Sequence, residues 1–134
     1  MYQELSLIAQ RSVAENVFLG REPASRLGVV DSNRLHAETR RLLERYRLPL
    51  AAEAAVEDLA VAQQQLVEIA RALAGQAKVI VMDEPTSSLT QMDTRNLFRV
   101  IADLKKQGTS VIYISHFLEE VQEVADRVVV LRDG

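Results

Sequence analysis

The second half of the chain most constrains how it can fold. After Gly75 three short apolar runs, "KVIVMD", "SVIYIS" and "RVVVL", alternate with helical patterns over 90–107 and 117–125. The first helical pattern places Leu97, Phe98, Ile101 and Leu104 on one face, and Gly108 follows it as a stop. Alternating strands and helices bury their apolar faces as parallel strands joined by crossover helices, because a tight turn cannot connect parallel neighbours. The spacing predicts three such strands, with "KVIVMD" fully buried and Met82 and Tyr113 in the core.

The first half has a different period. Ser12 and Glu15 form the pattern of a capping box, with Gly20 as a stop. A polar loop containing Gly and Pro leads to a predicted helix over about 32–46, with Leu35, Leu42, Leu43 and Tyr46 on one face and Pro49 beyond it. In "VEDLAVAQQQLVEIARALAG" the residues Leu66, Ile69, Ala70 and Leu73 recur at helical spacing. Asp58 is the predicted cap of that helix and Gly75 its end. The chain therefore divides into a mostly helical part up to about residue 75 and an α/β part over 76–134.

Composition closes off several classes of function. The chain has 134 residues, is 48% hydrophobic and 26% charged, and carries a net charge of -3, which argues against nucleic acid as the main partner. No apolar run approaches the roughly 20 residues of a membrane span. Cysteine is absent, which excludes disulfides and thiolate metal sites.

Ligands of parallel α/β sheets bind beyond the carboxyl ends of the strands. Two strands end there in reactive groups: "VIVMDEPTSSLT" in Asp83-Glu84, "SVIYISHF" in Ser115-His116. One carboxylate could hold hydrated Mg²⁺, a hard cation that takes one or two carboxylates plus phosphate oxygens. The other could orient or deprotonate a water attacking phosphorus, and the imidazole could donate to a phosphate oxygen. The bland alternative is a solvated carboxylate pair and a capping histidine.

Four stretches together resemble the ATP-binding cassette (ABC) transporter ATPases. "VIVMDEPTSSL" is similar to that family's Walker B strand, catalytic glutamate and following loop. "YISHFLEEV" resembles its switch-histidine segment, "MYQELSLI" its Q-loop, and "LAVAQQQLVEIARAL" its signature helix. The wording is most similar to bacterial ATPases of monosaccharide import, in which two cassettes share one chain, and here to the N-terminal cassette. The resemblance implies an α/β P-loop NTPase fold with a helical subdomain. It implies ATP and Mg²⁺ as cofactors, a second ATPase cassette as partner, and transmembrane permease subunits reached through the helical subdomain. It also implies a place at the cytoplasmic face of the cell membrane. Residue by residue, Gln3 would touch Mg²⁺ or the attacking water, Asp83 would hold Mg²⁺ through water, Glu84 would polarise the hydrolytic water, and His116 would contact the γ-phosphate. Leu59, Ala60, Val61, Ala62 and Gln63 would meet the nucleotide held by the opposite cassette. The implied domains are 1–9 as Q-loop region, 10–75 as helical subdomain with signature helix, and 76–134 as partial catalytic core.

The sequence departs from the family in three places. No GxxxxGK[ST] phosphate loop occurs. Ala60, Val61 and Ala62 replace the signature's serine and two glycines, and Thr90 replaces an aspartate. Without the phosphate loop and its strand, the chain is expected to be a fragment of the subunit, inactive alone and binding ATP no tighter than millimolar. A non-catalytic interaction module is the alternative for the isolated chain. A DNA-repair type of cassette is disfavoured, because no long coiled coil separates Gln3 from Leu59.

Overall fold

A computed structural model describes residues 7–24 and 28–132. Gln3 and the rest of the Q-loop segment up to residue 6 lie outside the described residues. The chain forms two compact units, Met1–Lys78 and Val79–Gly134.

The first unit is helical: α1 (Val13–Val17), α2 (Ser32–Arg45) and α3 (Val61–Ala74), with a 3-10 turn at Val56–Asp58. The capping box at α1 forms in both directions: Glu15 N–H donates to Ser12 Oγ at 3.2 Å and Ser12 N–H to Glu15 Oε2 at 2.9 Å. The next N–H groups of α1, from Val13 and Ala14, donate to the carbonyls of Ala54 and Ala52, so this helix start is closed by the loop before α3. α1 ends at Val17, earlier than Gly20 predicts, with Phe18 as its cap. Val13, Ala14 and Val17 of α1, Leu35 and Leu43 of α2, and Val67 and Ala70 of α3 are buried. Asn16, also fully buried, accepts from Ile8 N–H at 2.7 Å and donates to the carbonyls of Ile8 and Ser12 at 3.0 Å. A buried amide so satisfied fixes the chain entering α1.

Asp58 does not cap α3. It belongs to the 3-10 turn, and Ala60 is the N-cap residue. The extra turn moves the helix start by two residues, so the side chain that could have capped is spent before the helix begins.

The second unit holds β1 (Val79–Asp83), α4 (Gln91–Lys106), β2 (Ser110–Ile114) and α5 (Leu118–Val124). β1 and β2 run parallel, from Val79 opposite Ser110 to Asp83 opposite Ile114, with α4 as crossover. Thr90 caps α4 by accepting from Asp93 N–H, and Gly108 takes φ +85° at its far end, a region open mainly to glycine. Ile80 and Met82 are buried with Leu97, Phe98, Ile101 and Leu104 of α4, and the Phe98 and Tyr113 rings meet edge to face at 6.2 Å.

Two expectations for this unit fail. β1 is not buried on both faces: Val79 and Val81, with Ile112 of β2, are exposed. "RVVVL" is not a strand, and Val129, Val130 and Leu131 are 83, 81 and 84% exposed. Strand propensity needs a ladder neighbour to express itself. Among the described residues the sheet has two strands, and this segment pairs with neither.

Candidate functional site

The reactive groups lie at or just beyond the ends of β1 and β2, so the parallel register carries both to one end of the sheet. Asp83 is the last residue of β1, and Glu84 N–H extends the ladder by donating to Ile114 O at 2.9 Å. Glu84 then takes φ +44°, a left-handed conformation uncommon for a residue with a Cβ. That turn is closed by Ser87 N–H donating to Glu84 O at 3.2 Å, and it brings the carboxyl across to β2.

There Glu84 Oε1 lies 2.9 Å from His116 Nδ1. An ionised carboxylate can only accept, so the imidazole proton sits on Nδ1 and Nε2 is left as the second functional atom. In the neutral ring Nε2 accepts; in the imidazolium it donates. The side chains are 61% (His116) and 49% (Glu84) exposed, so an incoming ligand can reach both. Phe117 packs against the imidazole, ring centroids 4.0 Å apart.

The turn carrying His116 is held from below. Phe117 N–H donates to Ser115 Oγ at 3.0 Å, and Ser115 Oγ donates to Glu120 Oε2 at 2.9 Å. The same Glu120 oxygen accepts from Tyr113 Oη at 2.8 Å. Burial pushes the Glu120 carboxyl up, but the hydroxyls around it outweigh this and hold it below its ordinary value. The Thr86 hydroxyl favours the carboxylate from nearby without meeting hydrogen-bond geometry. Burial and the Glu120 acceptor together push the Tyr113 phenol far above its ordinary value. Sequence reasoning missed Glu120, and named Ser115 as a strand-end group without its tie to that carboxylate. The available signal was the hydroxyl pair at positions 113 and 115, which alternation places on the covered face of β2, where hydroxyls need an acceptor.

Asp83 offers a hard oxygen donor beside this pair, the chemistry Mg²⁺ selects. Among the described residues no three His, Cys, Asp or Glu side chains gather as a cage. A cation here would take its other ligands from water and a nucleotide, which is how Mg²⁺ is ordinarily held.

Leu59 to Gln63 belong to the helical unit. Ala60 has the extended φ, ψ of an N-cap (−61°, 155°) but no side-chain acceptor. Gln63 reaches back so that its Oε1 accepts from Ala60 N–H at 3.2 Å, one arm of a capping box without the other. Gln63 is thus occupied in closing its own helix, and Ala60 and Val61 are exposed.

Parallel strands joined by a crossover helix, ending together in an acidic pair and an imidazole, fit an α/β fragment of the P-loop NTPase class. The chain belongs to the ABC transporter family, whose profile matches residues 1–87. It is 51% identical over 134 residues to a ribose import ATP-binding protein of Rhodopirellula baltica, covering 100% of this chain and 26% of the relative. A ribose import ATP-binding protein of Rubrobacter xylanophilus is 50% identical over the same 134 residues, 27% of its length. Among solved structures, a nucleotide-free ATP-binding cassette from an ABC transporter superposes with a TM-score of 0.71 at 26% identity, covering 94% of this chain and 52% of that one. The chain thus spans about a quarter of the length of the import proteins it matches.

Proposed function

We propose that this chain contributes the water-activating and γ-phosphate-sensing part of an ATP-hydrolysing subunit that drives monosaccharide import. The observation that carries the proposal is the Glu84–His116 hydrogen bond at the carboxyl end of two parallel strands. Glu84 holds and polarises the attacking water. His116, held at Nδ1 by Glu84, donates from Nε2 to the γ-phosphate as the imidazolium. Asp83 would hold Mg²⁺ through water, and the family resemblance assigns Gln3 to Mg²⁺ or the attacking water. Mg²⁺, when bound, neutralises charge developing on the phosphate oxygens. Leu59, Ala60, Val61, Ala62 and Gln63 face the nucleotide of the opposite cassette. The helical unit meets the permease at the cytoplasmic membrane face; among the described residues no helix is long and apolar enough to cross a membrane. Relatives named for ribose import support the substrate class.

The sequence carries no phosphate loop, so the test supplies one. These 134 residues replace the matching stretch of the Rhodopirellula baltica ribose import protein, and ATP hydrolysis is measured in its assembled transporter. The proposal expects ribose-stimulated hydrolysis that His116→Ala removes. A graft that supports assembly but hydrolyses no ATP would favour a non-catalytic interaction module.

A further inference from the structure

We propose that Glu120 is a positioning residue for His116, acting through Ser115 and Tyr113 to set the ring that faces the phosphate. The inference rests on the reading of His116 given above and adds a residue that reading does not contain.

The geometry is a short relay. Glu120 lies on α5, one turn past the strand end. Its Oε2 accepts two hydroxyls at once, from Tyr113 at 2.8 Å and Ser115 at 2.9 Å. Tyr113 and Ser115 flank His116's approach on one face of β2, so a single carboxylate oxygen fixes both. Ser115 Oγ has one proton and spends it on Glu120, which leaves its lone pairs for Phe117 N–H at 3.0 Å. His116 therefore sits between two residues, Ser115 and Phe117, tied to each other through a hydroxyl that Glu120 orients. The ring is then held from both sides, by this turn and by Glu84 Oε1 at 2.9 Å. His116 is exposed, and its ring is in contact with Phe117. Remove Glu120 and the Ser115 hydroxyl is free to rotate, the turn loosens, and the ring loses the orientation that meets Glu84. A misplacement of about 1 Å in a catalytic group can cost on the order of 10²-fold in rate.

Glu119 is the built-in control. It carries the same charge one position earlier, is exposed, and touches neither hydroxyl in the described contacts. A loss caused by charge alone would follow either residue; a loss caused by positioning follows Glu120 only.

The test is nitrogen NMR of the whole 134-residue chain without nucleotide, with His36→Gln to assign the two histidines. In the parent chain the neutral His116 ring should carry its proton on Nδ1, and the Phe117 amide should exchange slowly. Glu120→Ala and Ser115→Ala should each return the ring toward Nε2–H and speed Phe117 exchange by about tenfold, the worth of one modest hydrogen bond. Glu120→Gln keeps an acceptor oxygen for both hydroxyls and should restore both signals, and Glu119→Gln should leave both unchanged. Unaltered tautomer and exchange in folded Glu120→Ala would overturn the inference, as would equal losses in Glu119→Gln. Should Glu120→Ala not fold, Ser115→Ala decides alone by the same signals. These measurements read the ring's placement without ATP, so their failure is separate from failure of the hydrolysis reading. That reading stands or falls on the grafted transporter.

Discussion

His116 Nδ1 meets Glu84 Oε1 at 2.9 Å across 32 positions of sequence. Nothing local brings them together. The contact exists because β1 and β2 are parallel, in a register that ends both strands at one level, and because Glu84 turns back with φ +44°. A one-residue slip in that register would send the two side chains to opposite faces of the sheet.

Replacing Glu84 by Gln keeps size and removes the base. In the grafted import subunit, nucleotide binding should be retained while single-turnover hydrolysis at this site falls by about 10²–10⁴-fold. Unchanged turnover would take Glu84 out of the chemistry.

Ala60→Ser should stabilise the protein by about 1 kcal/mol, because the N-cap conformation and the Gln63 arm already exist and only the hydroxyl acceptor is missing. Urea denaturation reads this directly. Adding Val61→Gly and Ala62→Gly restores the family's signature, but each glycine costs a helix up to about 1 kcal/mol. The triple variant should therefore lose stability while gaining turnover at the site this signature completes.

Asn16→Ala should cost about 1–3 kcal/mol, because it strips the part-buried Ile8 N–H of its partner, whereas the Ile8 carbonyl keeps the Arg11 N–H. Hydrogen exchange should show Ile8 N–H opening well before the middle of α3.

The Tyr113 phenol is raised by burial and by the Glu120 acceptor. Its ultraviolet titration should lie above the ordinary phenol range, and Glu120→Gln, which removes the charge, should bring it down. A raised pKa means the folded state holds the proton more tightly. This contribution to stability is complete below the unfolded value of about 10 and is lost as pH rises beyond it.

The helices were legible from the sequence because their signals are local. Periodicity located α2, α3 and α4, and the capping box fixed the start of α1. The α3 start was misplaced because a 3-10 turn, which periodicity does not register, absorbed Asp58. "RVVVL" was misread for a deeper reason. Its residues favour a strand, but pairing is a property of the neighbour and not of the segment. Asp83, Glu84 and His116 stood out as charged or titratable groups ending apolar runs. Glu120 did not, because a glutamate early in a helix is ordinary until the hydroxyls beneath it are seen.

The left-handed backbone at Glu84 sets stability and activity against each other at a single position. A non-glycine residue held there costs roughly 1–2 kcal/mol. Glycine would relieve this, offset in part by its larger chain entropy, about 0.5–1 kcal/mol. Glu84→Gly should thus melt no lower than the parent chain, although it removes the carboxylate. Selection for thermal resistance alone would then drift toward a cassette that folds well and leaves its fuel unburned, so a screen for robust variants of this chain needs turnover as a second filter.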